Sequence, residues 1–176
     1  MRITPWTRAL APRDTELVAA IEARRGGALL NLDRMLLWSE PLARGWNVYL
    51  RALRQELSLS PFVRELAICV VARLTGAEYE FHHHAPELKK AGATDAQLAA
   101  LGDPDSAAAS DSFDDQQRAV IRFAIASTLQ VQIPDTVFDS LKQQLSPQEM
   151  VELTAVTAAY NMVARLLVAL EVKPER

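Results

Sequence analysis

A single cysteine, Cys69, stands in the 176 residues of this chain, inside the apolar run LAICVVA. Without a second thiol there is neither a disulfide framework nor a Cys-x-x-Cys redox couple, and Cys69 reads as a small buried hydrophobe. Basic runs are equally scarce. The chain has 19 Lys plus Arg against 22 Asp plus Glu, a formal charge of −3, and no basic stretch longer than Lys89-Lys90. Nucleic acid, which needs a basic stripe to neutralise phosphates, is therefore not an expected partner. The opening MRITPWTRALAP lacks the continuous apolar stretch of a secretory signal, so a cytoplasmic location is expected. The most apolar long segment, Leu153 to Leu170, is interrupted by Asn161 and Arg165. It reads as a buried or interfacial helix, and no membrane partner is expected. No G-x-S-x-G elbow, phosphate loop or dinucleotide fingerprint is present, which argues against serine hydrolases, NTPases and nicotinamide enzymes.

Strand patterns and internal repeats are missing too, and what remains is a series of helices punctuated by stop signals. Asp14 caps a first helix ending near Gly26-Gly27, and segments Leu32 to Trp38 and Leu42 to Leu57 are divided at Pro41. Ser60-Pro61 opens a central helix in the N-cap, proline-at-N1 arrangement. Gly76 separates it from a helix over Ala77 to Ala91 that stops at Gly92. Thr94 with Gln97 forms a capping box, GDPDSAAASDS from Gly102 to Ser112 reads as a loop, and a helix runs from about Asp114 to Leu129. Pro134 begins the next, and Ser146 with Glu149 is a capping box for the long C-terminal helix. The expected fold is all-α. A chain of this size can bury roughly 70% of its unfolded surface without disulfides or structural metals, so one domain is the simplest reading. The expected division is an N-terminal extension with one helix over residues 1–29 and a helical domain over 30–176. The apolar surface of VELTAVTAAYNMVARLLVAL exceeds what one groove of a small monomer covers, and a homo-oligomer is expected.

The stretch RELAICVVARLTGAEYEFHHHAPELKKAG, Arg64 to Gly92, holds the chemistry. On a helix from Ala77, the positions Ala77, Phe81, His84 and Leu88 share a core-facing stripe, and Glu80 lies one turn before His84. The preceding helix is apolar nearly all round from Leu66 to Ala72, and Glu65 enters it. Buried ionisable groups cost several kcal/mol unless paired, so Glu80 and His84 are either an internal bridge or a site. Glu65 reads as a first-turn carboxylate favoured by the helix dipole, as a partner for Arg64 or Arg73, or as part of that site. His82 and His83 fall on other faces, solvated, where they can bind metal adventitiously. No four-ligand zinc set can be assembled, and no cofactor is implied. Thr154, Ala158, Asn161 and Arg165 line one stripe of the C-terminal helix, where Arg165 either meets a substrate carboxylate or pairs with Glu65 or Glu80. Trp38, Trp46 and Tyr49 are either pocket walls or core.

Glu65, the GAEYEF stretch, His84, Ala91-Gly92 and the late Tyr160-Asn161 with Arg165 resemble the carboxymuconolactone decarboxylase family of the alkyl hydroperoxidase D-like superfamily. The resemblance runs from about Leu30 to Val172 and is strongest between Glu65 and Gly92. It implies an all-helical fold, rings or paired assemblies of protomers, and a small pocket near Glu65 and His84 at or close to a subunit contact. The superfamily's peroxidases resemble E-x₁₁-C-x-x-C-x₃-H. Set on this chain, the glutamate is Glu65 and the histidine His84, but the two cysteines become Ala77 and Glu80. A dithiol peroxidase needs a thiolate and a resolving thiol, which alanine and glutamate cannot supply.

By analogy with lactone decarboxylation, the resemblance implies acid-base chemistry on a small carboxylic acid or lactone. His84 would be the proton donor, Glu80 its orienting partner and Glu65 a second proton-handling group, with Tyr79, Asn161 and Arg165 against the substrate. The other readings are a peroxidase-related antioxidant protein and a non-catalytic helical oligomer.

Overall fold

The computed structural model describes residues 1–175. Among them are ten helices and no strands. They group into two compact units, Met1–Leu57 with the C-terminal residues from Ala169, and Ser58–Val168.

The first unit holds α1 (Thr15–Arg25), α2 (Asn31–Leu36) and α3 (Glu40–Gln55), with α1 and α2 both packed on α3. Asp14 caps α1 by accepting from the Glu16 amide at 2.9 Å, and Gly26 ends it with φ of 84°, a left-handed turn where glycine has no Cβ to clash. The buried carboxylate of Asp33 is held by Arg25 at 2.9 Å and Arg24 at 3.4 Å, so a charge that burial would penalise is paired. Trp38, Trp46 and Tyr49 belong to this unit. Trp46 is core, whereas Trp38 and Tyr49 are exposed.

The second unit is organised around α4 (Pro61–Thr75), which packs against α5 (Glu78–Lys90) on one side and α8 (Asp115–Leu129) on another. Ser60 starts α4 by accepting the Val63 amide at 3.2 Å, and Gly76 ends it with φ of 66°. Every residue from Glu65 to Ala72 is buried, as an all-round apolar pattern requires. Short helices α6 (Asp95–Ala100) and α7 (Pro104–Ala107) follow α5, and α9 (Asp135–Lys142) packs on α8. The segment read as a loop thus contains α7. Asp103 accepts from the Ser106 amide and Pro104 occupies the first turn, so a turn-rich composition still closes one helical turn. The capping boxes at Thr94 and Gln97, and at Ser146 and Glu149, form as the spacing predicts.

Helix α10 (Pro147–Leu170) is long and apolar enough to cross a membrane by length and composition, and half of that apolar stretch is buried inside the protein. Its outer face exposes Val151, Met162 and Val168.

Candidate functional site

Glu65 and His84 meet across the gap between α4 and α5. The Glu65 Oε2 to His84 Nδ1 distance is 2.6 Å, and the other carboxylate oxygen, Oε1, accepts from Arg64 Nε at 3.1 Å. All three are largely enclosed, Glu65 at 1% and His84 at 5% exposure. A carboxylate only accepts, so the short bond places the imidazole hydrogen on Nδ1 and makes Nε2 the basic nitrogen of the neutral ring. The ring is also steadied by Tyr160 of α10, edge-to-face at 4.9 Å between centroids. Neither Arg64 nor Tyr160 stood among the expected site residues. The signal for Arg64 was its place beside a buried glutamate, and for Tyr160 its place beside Asn161 on the apolar helix.

This corrects the expected pairing. Glu80, one turn before His84 on the same helix, is not its orienting partner; Glu65 is. Glu65 also lies in the second turn of α4, whose first turn holds no acid, so proximity to the helix start does not explain it.

Glu80 is the unusual member. It is 1% exposed, and neither carboxyl oxygen has a hydrogen-bond partner. As a first-turn residue of α5 it feels a helix dipole that favours the ionised form by about 0.3–1 kcal/mol. Burial opposes this by several kcal/mol and wins, holding the Glu80 carboxyl well above the usual carboxylate range. Glu80 accordingly keeps its proton to higher pH than an exposed glutamate does.

Tyr79 is buried, its ring against His83 at 4.5 Å between centroids, and His82 is exposed. Phe81, expected on the inner stripe, is only half-buried, and the Arg73 guanidinium lies over its ring at 3.4 Å. Asn161 is buried and donates to Thr128 Oγ1 at 3.0 Å, tying α10 to α8. Arg165 sits on the exposed face of α10 and donates to the Asn161 carbonyl at 3.0 Å and to its side chain at 3.2 Å, not to Glu65 or Glu80. Glu65, His84 and Tyr160 are therefore brought together, while Asn161 and Arg165 form a separate link. Among the described residues no group of three or more His, Cys, Asp or Glu side chains is placed to hold a metal ion.

Cys69 is fully buried on α4, four residues after Glu65. Burial pushes its thiol strongly up, the nearby Glu65 carboxylate pushes the same way, and Arg73 opposes them. A thiol held neutral is a poor nucleophile. Peroxide reduction coupled to a dithiol reductant should run no faster with the wild type than with Cys69→Ala, and Cys69-dependent turnover would contradict this environment.

Residues 40–126 match the carboxymuconolactone decarboxylase family, a span that includes Glu65, Glu80 and His84 and stops short of Tyr160, Asn161 and Arg165. No curated protein matches the sequence. Among solved structures, an uncharacterised peroxidase-related protein from Ralstonia eutropha JMP134 with an alkylhydroperoxidase AhpD core is similar at a TM-score of 0.81 and 17% identity, covering 99% of this chain and 92% of that one. A peroxidase-related protein from Silicibacter sp. TM1040 is similar at 0.79 and 18% identity over 94% and 87%. A cysteine-to-alanine variant of the debrominase Bmp8, in complex with 2,3,4-tribromopyrrole, is similar at 0.79 and 19% identity over 99% and 92%. The all-helical fold is thus that of the alkyl hydroperoxidase D-like proteins, and residues 40–126 within it match the carboxymuconolactone decarboxylase family.

Proposed function

We propose that this protein is a cofactor-free enzyme that moves protons on a small organic molecule, in an isomerisation or decarboxylation of a lactone or carboxylic acid. The observation that carries this reading is the pairing of two proton-handling groups of opposite readiness on one helix. Glu80 holds a proton it can give, and His84, oriented through Nδ1 by Glu65, presents a ring nitrogen that can take one. A positioned acid beside a positioned base is how one site runs acid and base steps. Arg64 fixes Glu65 and Tyr160 fixes the ring, so both are positioning residues. The debrominase complex, a similar fold around a small heteroaromatic molecule, agrees with a small-molecule substrate.

The peroxidase reading is weaker for this chain. Its alignment to the E-x₁₁-C-x-x-C-x₃-H pattern puts Ala77 and Glu80 at the cysteine positions, and the one thiol present is buried and held neutral.

The test follows exchange at carbon. Butenolides and unsaturated or 3-oxo carboxylic acids are incubated with the protein in deuterated water and deuterium incorporation is read by NMR. We expect incorporation with at least one of them, and His84→Asn should slow it by roughly 100-fold or more, the usual worth of a positioned acid or base. Exchange that His84→Asn leaves unchanged, or that no compound of either class shows, would reject the assignment.

A further inference from the structure

Seven polar or charged residues are buried among those described, and Glu80 alone has no hydrogen-bonded partner on its side chain. Asp33 is held by two arginines, Gln97 by Ser112 and Gln117, Thr157 by the Leu153 carbonyl, Asn161 by Thr128, and Glu65 and His84 by each other. Buried polar groups without partners are uncommon because each loses its water and receives nothing in return. One at the heart of a candidate site points to a group that arrives from outside.

The surrounding charges say what kind of group. No cation on the helices that carry the site reaches Glu80, whose carboxyl oxygens are both unbonded. Arg64 lies on Glu65, Arg73 lies over the Phe81 ring with Glu78 at 3.9 Å and its Nε unbonded, and Arg165 lies on Asn161. Lys89 and Lys90 pair with Asp95 and Glu87 at the exposed end of α5. Burial is the resolved cause acting on Glu80, with no cation offsetting it. A ligand carboxylate brought to Glu80 would lose its water beside another carboxyl group, with no guanidinium fork or ammonium bonded there to receive it.

We infer that the group that satisfies Glu80 is an uncharged ligand oxygen, a lactone or ketone carbonyl or an enol or phenol hydroxyl, and not a carboxylate. The inference rests on the small-molecule reading above and narrows it. Glu80 then acts as hydrogen-bond donor to the reacting end of the molecule, and a carboxylate elsewhere on that molecule must lie away from Glu80.

Binding of matched probes tests it on the full chain. Unsubstituted butenolide and phenol are titrated against the protein by NMR, alongside crotonate and benzoate, which carry the charge. The signals followed are the backbone amides of Glu80 and His84. The uncharged probes should bind at least about tenfold more tightly than the carboxylates, a margin of about 1.4 kcal/mol. Glu80→Gln, whose amide also donates, should keep binding within about threefold, whereas Glu80→Ala should weaken it about tenfold. The comparison of probe classes on the wild type stands even if Glu80→Ala folds poorly. Carboxylates that bind as tightly as the uncharged probes, and depend on Glu80, would overturn the uncharged class while leaving a small-molecule site in place. Failure of all four probes to shift those amides, or binding indifferent to Glu80→Ala, would overturn both.

Discussion

Replacing Glu65 with alanine is expected to lower the stability of the folded protein by about 3–5 kcal/mol, a fall of roughly 6–20 °C in melting temperature for a domain of this size. Two buried groups lose their acceptor at once. The Arg64 guanidinium, only 14% exposed along its side chain, keeps its charge at any accessible pH and is left without the carboxylate that balances it. The His84 Nδ1 hydrogen loses the bond that fixes its tautomer. Glu65→Gln should cost less, since an amide oxygen still accepts, but it cannot balance the charge. A cycle with Arg64→Ala separates the causes: removing Arg64 as well should recover part of the loss, because the stranded cation is then gone. Denaturant unfolding of the four proteins is the measurement. A loss below about 1 kcal/mol for Glu65→Ala would mean that the Arg64-Glu65-His84 line is far better hydrated than its burial implies.

Glu80→Gln should do the opposite, and only as the pH rises. The folded-state Glu80 carboxyl titrates well above the ordinary value of 4.5, so the folded protein keeps a proton that the unfolded chain releases. Where the unfolded state binds fewer protons than the native state, stability falls with pH, by about 1.4 kcal/mol per pH unit for one proton. The contribution is therefore full below the unfolded-state value, declines as pH climbs, and stops declining once the folded-state carboxyl ionises too. Glutamine copies the neutral acid and does not titrate. The two proteins should thus be close in stability near about pH 4 and diverge in favour of Glu80→Gln as the pH rises above the unfolded-state value. Taking the difference between them cancels every other titrating group. Parallel stability curves across that range would show that Glu80 is ionised in the folded state, and Glu80 could not then be the proton donor.

Local signals in the chain were strong enough to place most helices, because a cap is a bond between residues three apart. Ser60 with Val63, Thr94 with Gln97 and Ser146 with Glu149 are all of this kind. The short α7 escaped because its proline, serine and aspartate residues suit a turn as well as a helical start. The site was legible as a set of residues but not as a set of bonds. Helical spacing brings Glu80 and His84 to the same side of α5, which makes them look like partners. The bond that forms instead comes from Glu65, 19 residues away on the neighbouring helix, and depends on how α4 and α5 pack. Arg165 presents the same difficulty in reverse. Its long side chain had carboxylates as plausible partners, yet it finds the carbonyl and amide one turn back on its own helix. Charge pairing of long side chains is settled by tertiary geometry, which spacing alone does not fix.

The enclosure of α4 has a consequence for watching this protein move. Cys69 lies at 0% exposure in the middle of a helix covered on all sides, and it is the only thiol in the chain. A thiol-alkylating reagent reaches it only when α4 parts from α5 or α8, so the labelling rate counts those openings and nothing else. Under mild reagent the rate follows the population of opened molecules, and under excess reagent it follows the opening rate itself. Evolution has thus left a timer in the centre of the bundle, readable by mass without adding a probe.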